Sequence, residues 1–337
     1  MRKNRLIYRA LIVCTLFFLL LQLLAMDVFD VPFNFPILTL LVPVLCILNL
    51  FFFLYWVFRL DWPALMFVLV FVFSFSEWQR LYQVNGLEIR RDKELSIMSF
   101  NVRSFNRFQW IKTDNIPMEI EAFIQKENPD IVCFQEFSIN QAPSFNSYPY
   151  QEFIPYKEKG LIGTSILSKF PLNNTKTIVF PSSSNGGMQT DLIQGKDTLR
   201  IYNLHFESLR LDVRDTLLTA QYSQKIRKKL SEVFLRQQQQ VNVFQKESKK
   251  NKLPSILCTD LNNTAYSKSY KLLTETRNDS YVLRGEGFGR TYRFPYYPMR
   301  IDFILPSIDL EVVDFNTYAV NLSDHYPIRA KVNWPID

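Results

Sequence analysis

Residues 1–80 carry few charges, and this apolar beginning constrains the fold more than any other feature of the chain. Three apolar runs follow one another there: Ala10–Ala25, Val31–Phe58 and Trp62–Ser76. A helix that crosses a bilayer needs about 20 mainly apolar residues, with a lower limit of about 17. The second run meets this requirement, the first does so if Leu6–Arg9 forms an interfacial turn, and the third does so if it extends through Trp78. The sequence therefore predicts a membrane anchor with three transmembrane helices.

The charges at the ends of these runs predict how the anchor is inserted. The basic N-terminus should stay in the cytoplasm, the acidic loop with Asp27 and Asp30 should cross the membrane, and Arg59 should return to the inside. A cleaved signal peptide also has a basic start and an apolar core, but a second apolar run directly afterwards favours a permanent anchor. Three spans place the rest of the chain on the non-cytoplasmic side of the cell membrane. If the third run only lies in the membrane interface, the rest of the chain is on the cytoplasmic side instead. The basic residues after this run favour that alternative: Arg80, Arg90, Arg91 and Lys93.

Charge and cysteine usage narrow the function less. The net charge of +7 suits a polyanionic partner or a membrane surface, but it is equally typical of a soluble surface. The four cysteines lie in apolar or strand-like runs, which predicts neither a disulfide framework nor a zinc site. No obligate protein partner is evident from the sequence.

Beyond a polar linker over residues 81–94, strand-like and helical patterns alternate. "LSIMSF" has a period of two, "DIVCFQEF" is a continuous apolar run, and a Gly-containing turn separates the two strand-like halves of "MQTDLIQGKDTLRIYNLHF". Ile116, Ile120 and Ile124 lie on one helical face, and a long polar stretch from Asp212 to Lys250 is rich in helix-forming residues. This mixture predicts a two-layer or four-layer α/β sandwich with largely antiparallel sheets.

Polar residues end several of the apolar runs in this second part. A buried carboxylate is costly unless it is paired, hydrogen-bonded or bound to a metal ion, so several of them at strand ends indicate a common site. Each one alone has a structural explanation, such as a turn cap or an ion pair. The residues concerned are Asn101, Glu136, Asn203, His205, Asp260, Asn262, Asp302, Asp324 and His325.

Taken together and in this order, the motifs resemble those of the endonuclease/exonuclease/phosphatase (DNase I-like) superfamily over residues 95–335. "IMSFNVRSF" resembles the first motif of that family, "PDIVCFQEF" the second, and "NLHFES" its Asn-x-His segment. "CTDLNNT" stands where many members have Gly-Asp-Phe-Asn, and "RIDFIL" and "LSDHYPI" resemble the two closing motifs. The chain departs from the family pattern at Thr259 and Leu261, behind the reactive positions. We accordingly expect a catalytic domain over residues 95–337, with two mainly antiparallel sheets flanked by helices in four layers.

The resemblance implies a role for each matching residue. Asn101 and Glu136, with Asp324 nearby, would hold the metal ion, and oxygen ligands of this kind suit Mg²⁺ or Mn²⁺. Asp260 would activate the attacking water and Asn262 would position it. His325, held by Asp302, would contact the phosphate, with His205 as the second imidazole and the proton donor to the leaving group unassigned. Further contacts to the substrate are expected from Asn203, Arg290 and Thr291.

These roles predict a membrane-anchored, magnesium-dependent hydrolase of phosphate esters, most simply a phosphodiesterase. Its substrate would be a nucleic acid or a lipid head group. Basic and aromatic residues such as Arg103 and Trp110 are compatible with a nuclease, whereas the anchor is compatible with a lipid substrate. The alternative is a catalytically silent membrane scaffold that binds phosphorylated partners.

Overall fold

Two β-sheets stacked face to face form the centre of the chain beyond the anchor. The computed structural model describes residues 2–28, 36–84, 86, 89–91, 93–113, 115–181, 183–209, 220–294 and 298–334. The predictions for Asp30, for the start of the second apolar run and for residues 212–219 lie outside these residues. The first sheet has the order β10-β11-β1-β2-β4-β3 and the second the order β5-β6-β7-β8-β9.

The strands of the first sheet are β1 (Glu94–Asn101), β2 (Ile131–Ser138), β3 (Tyr150–Pro155), β4 (Ile162–Ser168), β10 (Glu311–Thr317) and β11 (Ile328–Asn333). Those of the second are β5 (Leu172–Val179), β6 (Gly186–Gln194), β7 (Asp197–His205), β8 (Ser255–Asp260) and β9 (Asp302–Pro306). Neighbours are antiparallel except for the parallel pairs β1–β2 and β7–β8. The predicted hairpin is β6–β7, and its turn contains Gly195 with a φ of 63°.

Helices cover the outer face of each sheet. They are α6 (Ile116–Glu127) on the first sheet, and α7 (Ala220–Ser248) and α8 (Lys268–Thr274) on the second. The short α9 (Ser280–Arg284) instead contacts β9 and β10, and its Tyr281 packs in the core between the two sheets. Side chains alternate along each strand, so Ile97 faces the other sheet while Met98 packs with Ile120 and Ile124 of α6. In the same way Tyr202 packs outward against Phe244 of α7. This is the predicted four-layer sandwich.

The anchor folds into α1 (Arg2–Ala25), α2 (Pro36–Thr39), α3 (Val42–Phe58), α4 (Pro63–Phe73) and α5 (Phe75–Gln79). Among the described residues, one stretch is long and apolar enough to cross a membrane, the 21 residues Arg5–Ala25. The helices α3 and α4 are apolar but shorter, with 17 and 11 residues. Three transmembrane helices therefore remain a prediction.

The start of the predicted linker is attached to the sandwich. The backbone N–H of Gln83 donates to the carbonyl of Gly287 at 2.9 Å, and the N–H of Gly287 returns a bond of the same length. The Gln83 side chain also donates to the carbonyl of Val282. Backbone pairing thus joins the start of the predicted linker to the sandwich at this point.

Candidate active site

Four of the predicted polar residues lie at one open edge between the two sheets. Asn101, His205 and Asp260 are the last residues of their strands, and Asp302 is the first residue of the antiparallel β9. Each shares the inward face of its strand with core residues two or four positions away, for example Ile201 below His205 and Ile304 next to Asp302. The strand register then sets His205 directly beside Asp260, and Asp260 directly beside Asp302.

Asp260 is the centre of the resulting hydrogen-bond network. Its Oδ2 accepts from Nδ2 of Asn101 at 2.9 Å, and its Oδ1 accepts from the backbone N–H of Asn262 at 2.9 Å. The imidazoles of His205 and His325 approach Oδ2 to 3.5 and 3.7 Å. Burial raises the pKa of Asp260 to about 6, opposed by the two imidazoles and the Asn101 hydrogen bond and reinforced by Asp302. An acid with this pKa can take up a proton near neutral pH.

His325 is held by a bidentate contact with Asp302. Its Nδ1 lies 3.1 and 3.0 Å from the two carboxylate oxygens, which leaves Nε2 directed towards Asp260. Burial works against protonation of this ring, but the carboxylates of Asp302 and Asp260 outweigh it and raise the pKa of His325 to about 10. His325 is therefore a fixed cation at neutral pH, as the sequence motifs implied for a phosphate contact.

His205 favours the neutral ring, unlike His325, and its Nδ1 is hydrogen-bonded to an uncharged phenol. Burial lowers the pKa of His205, although Asp260 opposes the shift. Its Nδ1 lies 2.9 Å from the phenol oxygen of Tyr156, which also accepts the backbone N–H of Glu136 at 3.0 Å. The carboxylates nearest to Nε2 favour a hydrogen on that nitrogen, so Nδ1 of the neutral ring accepts the phenol proton of Tyr156. This Nε2–H points towards Asp260 and Glu136, at 3.5 and 3.8 Å.

Glu136 reaches the site through an irregularity in β2. Strict alternation would place Glu136 on the same face as Phe134, which packs outward against the α6 layer. The register shifts between Phe134 and Phe137, and Glu136 has a φ of 50°, a conformation rare for residues other than glycine. A non-glycine residue held in this region usually marks a functional position. Here the bulge turns the carboxylate into the cleft, 3.3 Å from Nδ2 of Asn101.

The donor groups fit a hard divalent cation, with Glu136 as the main protein ligand. Its carboxylate is one-third exposed to the cleft, whereas both oxygens of Asp302 and of Asp260 are taken up by internal hydrogen bonds. Burial raises the pKa of Glu136, so a nearby cation would favour the ionised form. Asp260, Asp302 and His325 also bring ligand atoms within 4.8 Å of one another, but their pairing leaves them fewer free lone pairs.

Asn101 and Asp324, both expected as metal ligands, have partners within the protein, and their ligand roles stay predictions. The amide oxygen of Asn101 accepts the backbone N–H of Arg103 at 3.0 Å, and its NH₂ group faces the two carboxylates. Asn101 thus orients Glu136 and Asp260. The Asp324 carboxylate is paired with the guanidinium of Arg103 at 2.6 Å.

Asn203, expected to contact substrate, lies inside the sandwich. It shares the inward face of β7 with His205 but sits two residues, roughly 7 Å, deeper. Its Nδ2 donates to the carbonyls of Phe134 and Ser165, and its Oδ1 accepts from Gln135 at 2.7 Å. With no exposed surface, Asn203 joins the two sheets and cannot reach a substrate.

The structure also gives Arg290, Thr291 and Asn262 supporting positions. The guanidinium of Arg290 donates to two carbonyls of its own loop, and Thr291 is fully buried with its Oγ1 accepting the N–H groups of Ile301 and Asp302. Thr291 therefore positions Asp302 and does not meet a phosphate. Asn262 holds Asp260 through its backbone, while its side chain donates to the carbonyl of Phe206 behind the site.

Two tyrosines belong to the site without matching any motif. Tyr156 follows β3, and no local pattern distinguishes it from a surface aromatic residue. Tyr292 lies edge-on to His325 with 5.0 Å between ring centroids. Burial and the carboxylate of Asp324 raise the pKa of Tyr292 to about 12, so its hydroxyl stays protonated.

A cavity of about 260 Å³ opens beside these groups. The guanidinium of Arg103 forms part of its wall, lying 3.9 Å from the ring centroid of Trp110 and bonded to Asp324. Arg293 lines the cavity as well, and Phe108 packs edge-on against Trp110 at its exposed side. Cationic and aromatic groups thus surround the cleft on the side of the first sheet.

Comparison with known proteins agrees with this geometry. The model of the Endonuclease/Exonuclease/phosphatase family matches residues 98–325. No curated protein matches the chain at a significant level. Among solved structures, the endonuclease/exonuclease/phosphatase of Bacteroides vulgatus is 17% identical over 72% of this chain and 100% of its own, with a TM-score of 0.57. The corresponding values are 17%, 72%, 99% and 0.54 for D. rerio TDP2 humanized by 14 mutations, and 16%, 74%, 96% and 0.54 for the human Nocturnin catalytic domain with bound sulfate. At this identity, the solved structures establish the fold.

Proposed function

The chain belongs to the Endonuclease/Exonuclease/phosphatase family, and on this basis we propose that it is a membrane-anchored, divalent-metal-dependent phosphodiesterase. One observation carries the proposal. Acid, amide and imidazole groups from four strands and the loop before β11 converge around Asp260 at the end of β8, although they are spread over more than half of the chain: Asn101, Glu136, His205, Asp302 and His325.

The chain's own residues suit attack of water on phosphorus. Asp260, whose pKa is raised to about 6, accepts a proton from the attacking water. The Nε2–H of His325 donates to a non-bridging phosphate oxygen, where negative charge grows in the transition state. One P–O ester bond breaks, and the products are a phosphate monoester and an alcohol.

His205 contributes a neutral donor on the opposite side of Asp260. Its Nε2–H is fixed by the hydrogen bond at Nδ1 from Tyr156, so it can bond a phosphate oxygen or the departing oxygen. A divalent ion held by Glu136 would neutralise phosphate charge and stabilise the developing negative charge.

The inside-out polarity of the helical bundle supports membrane anchoring. Large apolar side chains on α1, α3 and α4 are exposed, among them Phe51 at 66% and Phe73 at 77%. Polar side chains lie inside instead: Nδ2 of Asn49 donates to Gln22 at 2.7 Å, and the indole of Trp56 donates to Thr15 at 2.9 Å. Interhelical hydrogen bonds within an apolar exterior are typical of helices packed in lipid.

The helix directions support a non-cytoplasmic catalytic domain. The Tyr8 hydroxyl donates to Asp61, so the N-terminus lies at the same end of the bundle as the end of α3. The carbonyl of Glu77 in α5 accepts from Tyr266 of the sandwich, which places the sandwich at the opposite end. If the basic N-terminus is in the cytoplasm, the sandwich lies on the opposite, non-cytoplasmic side of the membrane.

The test is hydrolysis of bis(p-nitrophenyl) phosphate by the purified full-length chain in detergent. Turnover should require Mg²⁺ or Mn²⁺, stop with EDTA, and fall by about 10³-fold in Asp260→Asn. Glu311→Gln, which removes an exposed carboxylate paired with Arg91, is the matched control and should keep full activity. Binding of phosphate esters without any metal-dependent turnover would favour the scaffold alternative instead.

A further inference from the structure

We propose that the catalytic cleft opens at the membrane surface and that its substrate is the phosphodiester of a lipid head group. This inference rests on the hydrolase function proposed above and specifies its substrate. It follows from where the loops of the site touch the anchor.

Both loops that leave the catalytic ends of β7 and β8 rest on the anchor. After His205, the chain reaches Leu209, which packs with α7 and with Ile37 and Leu40 of the α2 region. After Asp260, the Thr264 hydroxyl donates to the carbonyl of Thr39 at 3.4 Å. The described residues 37–40 therefore lie against the loops that follow two members of the site.

Further contacts make this docking specific. The Tyr266 hydroxyl donates to the carbonyl of Glu77 at 3.1 Å, within a cluster that includes Ala25, Met26 and Val42. The ammonium group of Lys271 on α8 pairs with the Asp27 carboxylate at 2.8 Å, just after α1 ends. These contacts join the ends of three anchor helices to the loop and helix that follow Asp260.

The docked parts of the anchor are the segments that leave the membrane. Asp27 follows α1, Thr39 precedes α3, and Glu77 follows α4, all at the end of the bundle opposite the Tyr8–Asp61 contact. Segments at this position lie at the level of the lipid head groups. The catalytic loops that contact them lie at the same level.

The charge of α7 fits anionic head groups. Its hydrophobic residues Leu230 and Phe234 pack in the same cluster as Ile37 and Leu40, so this half of α7 runs beside the interfacial segment. On the same half, the side chains of Arg227 and Lys228 are exposed, whereas Arg236 is paired with Glu207 at 3.6 Å. Basic residues close to a membrane surface are each worth about 1 kcal/mol of attraction to anionic lipid.

The cationic wall of the cleft is less suited to a nucleic acid. Arg103 is neutralised by Asp324 at 2.6 Å and is covered by Trp110, so its charge is already compensated within the protein. Binding of a polynucleotide depends on cations that replace the counterions of successive phosphates. A single head-group phosphodiester needs only the charges at the centre of the site.

The experiment uses the full-length chain reconstituted in vesicles of phosphatidylcholine and phosphatidylglycerol at 4:1, with Mg²⁺. Conversion of phosphodiester to phosphomonoester is followed by ³¹P NMR, once for lipid in the same vesicles and once for lipid in added protein-free vesicles. Because lipid in the same bilayer has a high effective concentration, its turnover should be about tenfold faster or more. Bis(p-nitrophenyl) phosphate and a thymidine oligonucleotide are assayed in parallel.

The matched variants reverse the charges of the ion pair between Lys271 and Asp27. Lys271→Asp should slow lipid turnover severalfold while turnover of bis(p-nitrophenyl) phosphate stays unchanged, and adding Asp27→Lys should restore the lipid rate. Tyr266→Phe, which removes only the hydroxyl bonded to Glu77, is a milder second variant with the same expected direction.

Cleavage of bis(p-nitrophenyl) phosphate with inert lipid, or faster cleavage of the oligonucleotide than of lipid, overturns the lipid proposal and leaves the hydrolase function standing. Equal rates on lipid in the same and in separate vesicles also overturn it. Absence of turnover on every substrate overturns both proposals.

Discussion

Replacing Asp302 with asparagine should convert His325 from a permanent cation into a group that titrates within the working pH range. The two carboxylate oxygens of Asp302 lie 3.1 and 3.0 Å from Nδ1, and the ring is 5% exposed. A pKa of about 10 against the ordinary 6.5 corresponds to roughly 5 kcal/mol in favour of the protonated ring. In Asp302→Asn the carboxylates of Asp260 and Asp324 still oppose burial, but the largest favourable interaction is lost, so the pKa of His325 should fall towards its ordinary value.

The expected consequence is a change in the pH profile. At pH 8 the variant should lose activity by about 10²-fold, because a charged donor to the phosphate is missing from most molecules. On acidification the ring regains its proton, so the ratio of wild-type to variant activity should shrink towards pH 5.5. A merely structural defect would lower activity by the same factor at every pH.

The same pair makes stability depend on pH. Since the folded pKa of His325 lies above the unfolded value, its contribution is complete below pH 6.5 and is lost as the pH rises through about 10. Thermal unfolding of the wild type should therefore shift to lower temperature across this window, and Asp302→Asn should show a smaller shift.

The assay is direct because the chain has two histidines. Selective ¹⁵N-histidine labelling gives two imidazole spin systems, which His205→Asn assigns. Glu311→Gln serves as the control for loss of an exposed carboxylate. A His325 pKa that stays near 10 in Asp302→Asn, together with an unchanged pH profile, would refute the reasoning.

Three further outcomes follow from the site. Tyr156→Phe should lower kcat by about tenfold and shift the ¹⁵N signals of His205, because Nδ1 loses its donor; unchanged signals would contradict the tautomer assignment. Asn203→Ala should destabilise the fold by about 2–4 kcal/mol in thermal or denaturant unfolding, with KM of the folded fraction unchanged; a raised KM at wild-type stability would restore it as a substrate contact. Arg290→Gln should leave KM within about twofold, because its guanidinium is bonded to its own loop; a larger rise would show that this loop opens to substrate.

The strand-end residues could be identified before the fold was known because their signal is local. In β7, β8 and β9, period two places His205, Asp260 and Asp302 on the same face as core aliphatic residues, and the end of each apolar run marks the open edge. Glu136 was also identified by its motif, but the sequence could not predict on which face of β2 its side chain lies. Strict alternation points it at α6, and only the bulge in β2 turns it into the cleft.

The roles of other residues depended on partners distant along the chain. Asn203 and His205 share one face of β7 but lie at different depths between the sheets. The imidazole of His205 is at the open edge, where it can contact a ligand. The amide of Asn203 lies further inside and forms hydrogen bonds to β2 and β4. The pairing of Asp324 with Arg103, 221 positions earlier, has no signal in the sequence and is seen only in the fold. No sequence pattern identified Tyr156, because its role depends on hydrogen bonds to both Glu136 and His205, which only the fold brings together.

The sequence by itself determined the apolar N-terminal region, the strand and helix pattern, the family and most of the polar groups of the site. These are properties of composition and short-range period, which a chain carries in any conformation. The tertiary structure alone decided which groups face one another, which are neutralised, and that the loops behind His205 and Asp260 rest on the anchor. Such facts depend on hydrogen bonds and charges brought within a few ångströms by folding, and no local pattern encodes those distances.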